Sequence, residues 1–199
     1  MNIVLIFERA RELLFYPARA WEKIKGEKPG RDLIVYPLVL ALVQPVAIMI
    51  GYWLIGLWIG SNGYVRMSFL NSFYSALVAY FLSLLGVAVM AFLIMVLANY
   101  FQVESDMPSA AKLAVYASTA PLLCGIFQLI PGIRILMILG LYGAYQLYTG
   151  IPKLLKAAHD KEPPFTFTSI IAGIILMLLI NFLISQYIFG ILYSDILTY

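Results

Sequence analysis

Charge is scarce in this sequence. Only 12% of its 199 residues are Asp, Glu, Lys or Arg, about half the share carried by an ordinary soluble domain. It has one cysteine, Cys124, and one histidine, His159. A single cysteine excludes an intrachain disulfide and a cysteine metal cage, and a single histidine excludes His-rich metal sites and zincin motifs. Cys124 reads as a small apolar residue in a helix. His159, beside Asp160 and Glu162, reads as a solvated loop histidine, with a titrating sensor or weak metal contact as the alternative. No phosphate-cradling glycine loop is present. Gly60-Ser61-Asn62-Gly63 reads as a loop, with no base near Ser61 in sequence. A secretory leader is lacking too, because the apolar run 3–7 is short, follows no basic residue and meets Glu8 and Arg9 at once. The net charge of +3, with both signs interspersed, forms no basic patch for nucleic acid. These absences point away from catalysis, from any cofactor or metal, and from nucleic acid as a partner.

What the sequence does have is apolar bulk. Hydrophobic residues make up 63% of it, and the mean hydropathy is +0.92. A chain this short cannot hide that much apolar surface in one core, so lipid is its natural solvent. Charged residues divide it into five uncharged runs, 33–65, 67–103, 113–133, 135–152 and 163–194. At about 1.5 Å per residue, a hydrocarbon core of about 30 Å needs about 20 helical residues. The expected fold is therefore all-α, a polytopic five-transmembrane-helix bundle with spans near 33–59, 70–101, 111–130, 134–151 and 168–193. Pro131-Gly132-Ile133-Arg134 alone separates the third span from the fourth. Proline and glycine there suit the tip of a helical hairpin; a re-entrant loop is the alternative.

The distribution of Lys and Arg sets the expected orientation. Seven precede the first span (Arg9, Arg11, Arg19, Lys23, Lys25, Lys28, Arg31), Lys112 lies between the second and third, and Lys153, Lys156 and Lys161 lie between the fourth and fifth. Only Arg66 and Arg134 fall on the other side. That asymmetry puts the N-terminus in the cytoplasm and, with five crossings, the C-terminus in the periplasm or outside the cell. Residues 1–31 read as a separate cytoplasmic amphipathic segment and 32–199 as the transmembrane domain. In the segment, Ile6, Phe7, Ala10, Leu13 and Leu14 share one helical face, with Glu8, Arg9, Arg11 and Glu12 opposite, and Pro17 can open a second short helix with Ala20, Trp21 and Ile24 on its apolar side. One reading lays these helices on the inner leaflet, with Trp21 at headgroup level and Arg9, Arg11, Arg19 and Lys23 as membrane-surface residues. The other packs them on the bundle itself. Tyr52, Trp53, Trp58 and Tyr64 suit an aromatic belt at the opposite surface.

Inside the spans the informative residues are uncharged and polar, chiefly Gln44, Asn71, Tyr116, Gln128, Gln146 and Asn181. An amide in hydrocarbon needs a partner, so these side chains either join helices by hydrogen bonds or line a polar path. A coupled pump usually keeps an ionisable group in its path, and the runs hold none. Pro37, Pro45 and Pro121 are expected to kink their spans, and Gly56-x-x-x-Gly60 offers a surface for close helix approach.

The order Tyr116-Ala-Ser-Thr-Ala-Pro121, Pro131, then Tyr148-Thr-Gly-Ile-Pro152 resembles the Yip (Ypt-interacting protein) family, in particular its bacterial inner-membrane branch. Tyr16-Pro17, and Asp32-Leu33 followed by Pro37, extend the resemblance upstream, over roughly residues 16–195. It implies a five-span fold with a cytoplasmic N-terminus, in a bacterial inner membrane. Eukaryotic relatives are linked to vesicle traffic, Rab-type GTPases and membrane curvature. This chain begins without their long cytosolic tail, so GTPase binding is not implied. The expectation is a non-enzymatic scaffold, adaptor or membrane-organising protein whose partners are the lipid bilayer, other membrane proteins or a second copy of itself. The alternative is a channel or transporter for a small solute or lipid.

Overall fold

Pro45 and Pro121 decide where the long apolar runs break, whereas Pro37, also expected to kink its span, lies inside the unbroken helix Asp32–Leu40. In the computed structural model, which describes residues 3–58, 63–155, 158 and 160–197, the first run forms α3 (Asp32–Leu40) and α4 (Val43–Ile50), continued by a π-helical turn, Gly51–Ile55. The break at Ala41 and Leu42 begins four residues before Pro45. A proline ring clashes with the carbonyl one turn back, and its nitrogen has no proton to donate to it. Pro121 acts in the same way on the third run. It separates α6 (Met107–Ala117) from α7 (Thr119–Cys124) at Ser118. Hydroxyls satisfy part of the disturbed turn: Ser118 donates to the Ala114 carbonyl at 2.7 Å and Thr119 to the Tyr116 carbonyl at 2.6 Å. The half-buried Cys124 closes α7.

The second and fifth runs are unbroken helices, α5 (Phe69–Phe101) and α9 (Glu162–Leu197). Ser68 caps α5 by accepting the Asn71 backbone N–H at 3.2 Å. Between the first run and α5, the two-residue strands β1 (Leu57–Trp58) and β2 (Tyr64–Val65) pair antiparallel, Leu57 opposite Val65 and Trp58 opposite Tyr64. Gly56, with a φ of +83°, ends the helix before this ribbon. The expected Gly56-x-x-x-Gly60 helix face therefore does not form at Gly56, and Gly60, like Ser61 and His159, lies outside the described residues.

Four helical stretches among the described residues are long and apolar enough to cross a membrane: Asp32–Ile55, Phe69–Phe101, Met107–Leu129 and Glu162–Ile191. The expected span at 134–151 instead takes two forms in succession, a 3-10 helix over Pro131–Leu141 and α8 (Tyr142–Leu154). This pair folds back along the third stretch. The 3-10 helix packs on α7 and on the turn Gly125–Leu129, and α8 packs on α6. Gly143 permits the approach, since a Cβ there would lie 3.0 Å from the Ala117 carbonyl oxygen and from the Pro121 ring.

The surface is inverted relative to a soluble protein. Ser72, Ser75, Ser83 and Gln44 are buried, while Phe81, Phe92, Ile175 and Phe182 point outward. Large apolar side chains outside and small or polar ones between helices are the arrangement lipid favours. In the Glu162–Ile191 stretch only 11% of the central window is buried, which leaves α9 apolar surface on most sides.

Candidate functional site

Two polar groupings stand out against this apolar background. The first begins with the N-terminal helices α1 (Ile3–Phe15) and α2 (Pro17–Gly26). Pro17 occupies the first helical position of α2, where its missing N–H has no consequence. The two helices fold back on each other about Tyr16, so that Glu12 pairs with Lys23 and Arg9 with Glu27. Their buried faces, Ile6, Ala10 and Leu13 on α1 and Ala20, Trp21 and Ile24 on α2, enter the main core beside Tyr36, Leu113, Tyr116 and Ile151.

Trp21 is the anchor. It is 0% exposed, and its indole N–H donates to Thr149 Oγ1 at 3.2 Å. Space for the ring comes from Gly150, where a Cβ would lie 2.7 Å from the indole carbons. The expectation of Trp21 at headgroup level is thereby corrected, because the side chain is enclosed by protein. The edge of Tyr116 meets Tyr36 at 5.0 Å and Trp21 at 6.4 Å between ring centroids. The Arg9 guanidinium lies 5.8 Å from the Tyr116 ring centre. Tyr36 and Thr119 share a 2.8 Å hydrogen bond beneath it.

Helix ends leave carbonyls unpaired, and here the partners come from far along the chain. Lys112 donates to the carbonyls of Ile24, at 3.1 Å, and Glu27. Gln146 Nε2 donates to the Leu13 carbonyl at 3.4 Å, and its Oε1 accepts from the Ala120 N–H at 3.4 Å. Tyr142 donates to the Leu14 carbonyl at 2.8 Å. A cation at a helix C-terminus also meets the favourable end of the helix dipole. Burial works against the charge on Arg9, but the hydrogen bond and charge of Glu27 outweigh it and hold the guanidinium pKa above its ordinary value. At the rim, Lys153 bonds Glu22 at 2.5 Å and holds that carboxylate below its ordinary range.

The second grouping is a half-enclosed cavity of about 100 Å³ between α4, α5, α6, α7, α8 and α9, with Gln44, Ser83 and Asn181 among its lining residues. Gln44 is 5% exposed. Its Oε1 accepts from Ser83 at 3.0 Å, while its Nε2 has no partner among the described residues. Asn181 turns its amide back to the Met177 carbonyl at 2.9 Å.

The sequence candidates are thus divided. Arg9, Trp21, Tyr116 and Gln146 come together around the docked helices, and Gln44 and Asn181 come together in the cavity. Gln128, buried, accepts from Tyr52 at 3.3 Å, and Asn71 closes the start of α5. Arg11, Arg19 and Lys23 are exposed; Arg19 lies 6.0 Å from the Tyr16 ring centre. Sequence reasoning missed Lys112, Glu27, Tyr36, Tyr142 and Thr149. Lys112 carried a signal, as the one cation at the edge of an otherwise uncharged run. The others carried none, because their partners lie 83 to 128 residues away for Tyr36, Tyr142 and Thr149.

Residues 11–182, most of the chain, match the Yip1 domain. The chain is 25% identical over 171 residues to a protein of Escherichia coli strain K12 called Inner membrane protein YohC, covering 83% of this chain and 88% of that one. The protein of the same name from Escherichia coli O6:H1 gives the same figures. No solved structure matches.

Proposed function

The chain belongs to the Yip1 domain family, and from that premise we propose that it is a non-enzymatic, five-span protein of the inner membrane that organises the bilayer around a docked helical hairpin. The inner-membrane placement draws on the name of the Escherichia coli relative. The fifth crossing draws on the path from Pro131 to Leu154. Its 3-10 part rises about 2 Å per residue and its α part about 1.5 Å, together on the order of 40 Å, enough for a core of about 30 Å. With 11 of the 13 cations on the docked-helix side, that side is the cytoplasmic one, and the C-terminus lies opposite. A tag fused after Tyr199 should then be reachable from the periplasm only; access from the cytoplasm alone would remove the fifth crossing.

One observation carries the functional reading. The α1–α2 hairpin is fixed to the bundle by Trp21 and by capped carbonyls, yet α1 keeps a second apolar face outward, with Ile3, Val4, Phe7 and Phe15 all more than half exposed. Arg11 stands within this face, one turn from Phe7 and one from Phe15, and the exposed Glu8 lies at its edge. An exposed apolar strip broken by one long cation, whose stem can lie along it while its head reaches water, suits the boundary between acyl chains and headgroups. The hairpin thus acts as a rigid wedge in one leaflet, and the same surface is open to other membrane proteins or a second copy. Full-length protein reconstituted into vesicles of phosphatidylethanolamine and phosphatidylglycerol should narrow their diameter. Phe7→Glu with Phe15→Glu should abolish this while leaving the spans folded. Vesicles unchanged by the parent protein at high loading, with no self-association on cross-linking, would sink the proposal.

The second reading, a channel or carrier for a small solute or lipid, draws on the cavity beside Gln44 and Asn181. Against it, Tyr116 and Gln128 are engaged elsewhere, and the cavity walls are mostly apolar.

A further inference from the structure

Gln44 lies midway between Asp32 and Ile55, and the other linings of its cavity are also central in their helices. Ser83 and Gly86 flank the midpoint of Phe69–Phe101, Ser118 is the midpoint of Met107–Leu129, and Gly173 and Met177 flank that of Glu162–Ile191. The cavity is therefore at the bilayer midplane, about 15 Å from either headgroup region. Phospholipid esters do not reach this depth. Here Gln44, one of the lining residues, holds a buried N–H donor that no described residue accepts. The orientation matters: with Oε1 accepting from Ser83, the unmatched end is the donor.

The remaining chemistry is restrictive. The Ser118 hydroxyl and one Asn181 amide hydrogen are directed to backbone carbonyls one turn back, and no charged side chain lines the space. An ion or zwitterion has nothing to pair with here. What fits is neutral, lipid-soluble and equipped with a hydrogen-bond acceptor. Gly86, Gly143 and Gly173 contribute no side chain, and Met90 and Met177 offer adaptable, polarisable walls that favour the edge of a flat ring. A sealed cavity of about 150 Å³ accepts a benzene ring; this one, at about 100 Å³, is only half enclosed. Its partly exposed linings, Ala144 on α8 and Ile174 and Met177 on α9, mark a slit facing lipid.

We propose that this cavity binds the ring of a membrane-soluble quinone, with a ring carbonyl accepting the Gln44 Nε2 hydrogen and the aliphatic tail leaving between α8 and α9. No electron transfer is involved. The test uses the full-length protein in phosphatidylethanolamine and phosphatidylglycerol nanodiscs with a tritiated benzoquinone bearing a ten-carbon tail. The parent should bind it saturably at one per chain. Gln44→Leu, which keeps the volume and removes the donor, should weaken binding roughly three- to tenfold, the equivalent of one hydrogen bond. Its melting temperature should stay near the parent's, because an unmatched donor goes together with the acceptor that Ser83 uses. Ala144→Phe, which closes the slit without touching Gln44, should abolish binding.

Absence of saturable binding in the parent overturns the proposal, as does equal affinity in Gln44→Leu. Equal competition by palmitic acid or a diacylglycerol would assign the cavity to acyl chains instead. A lower melting temperature in Gln44→Leu with unchanged quinone affinity would reduce Gln44 to helix-joining.

Discussion

Replacing Trp21 by alanine should release the N-terminal hairpin while leaving the spans intact. The indole is wholly buried, touches Gly150 and Leu113, and loses a hydrogen bond to Thr149 when removed. Large-to-small changes of a buried aromatic cost about 3–5 kcal/mol. If undocking is the lowest-energy opening of α2, the loss falls wholly on that opening, and each 1.4 kcal/mol is a factor of ten. Amide hydrogen exchange of Pro17–Gly26 in the full-length protein should therefore quicken on the order of a hundred- to a thousandfold, with α5 and α9 unchanged. Thr149→Val removes only the acceptor and should quicken the same amides by less than about tenfold. Two results would refute the reasoning. Unchanged exchange in α2 would mean that Trp21 does not hold it. A uniform loss of protection through every helix would mean that the hairpin is an inseparable part of the bundle.

Gly150→Ala should act in the same direction from the other side of the contact, since its new Cβ meets the indole at 2.7 Å; overpacking of about 1–3 kcal/mol should appear as faster α2 exchange and a shifted tryptophan emission. Lys112→Met leaves the Ile24 and Glu27 carbonyls without their cation, and should destabilise the end of α2 by about 1.5–3 kcal/mol, read from exchange at residues 24–27. Glu22 is held below the ordinary carboxylate range by its hydrogen bond to Lys153. A lowered pKa in the folded state means stability that is present above the ordinary value and lost as pH falls through the lowered one. Docking should accordingly loosen slightly in acid, and Glu22→Gln should remove that acid dependence of α2 exchange.

The helical class was legible because charge punctuates the chain. Arg66 and Glu104 bracket α5, and Ser68 caps it one residue before its start. The last helix begins at Glu162, six residues before the expected 168, because Pro163 and Pro164 are tolerated in a first turn, where backbone N–H groups have no helical acceptor. The expected fourth span gave an apolar run but no sign that its first half would wind as a 3-10 helix. Face composition, too, has a limit. The pattern of Ala20, Trp21 and Ile24 says that something apolar covers them, and lipid and protein satisfy it equally. Only Gly150, 129 residues from Trp21 in sequence, decides for protein. Tyr116 and Gln146 were visible as polar residues needing partners, but only Tyr36 and Ala120 lie within the spans; Arg9, Trp21 and Leu13 belong to the N-terminal segment.

That pairing constrains what the hairpin can do. Gln146 is seven residues from Lys153 on α8, so at about 1.5 Å per residue its contact with Leu13 lies about 10 Å toward the bundle centre. The turn at Phe15 and Tyr16 is thus lowered into the bundle's flank, and Glu27 stays at its rim. Undocking would strand the carbonyls of Leu13, Leu14 and Glu27, leave Ile24 only its bond from the Glu27 N–H, and leave Lys112, Tyr142 and Gln146 without the acceptors they now use. Each buried group left unpaired costs about 1–3 kcal/mol, and in an apolar surround water does not compensate. A gate must open at low cost, and this joint does not. A wedge must resist being squeezed out by lateral pressure, and here every polar contact resists it. Among the described residues each grouping leaves one buried donor over, Arg9 Nη1 beside the hairpin and Gln44 Nε2 in the cavity, but the amide of Gln146 is matched at both ends where that of Gln44 is not. The hairpin joint is therefore costly to open, and the cavity amide keeps the donor on which the quinone proposal rests.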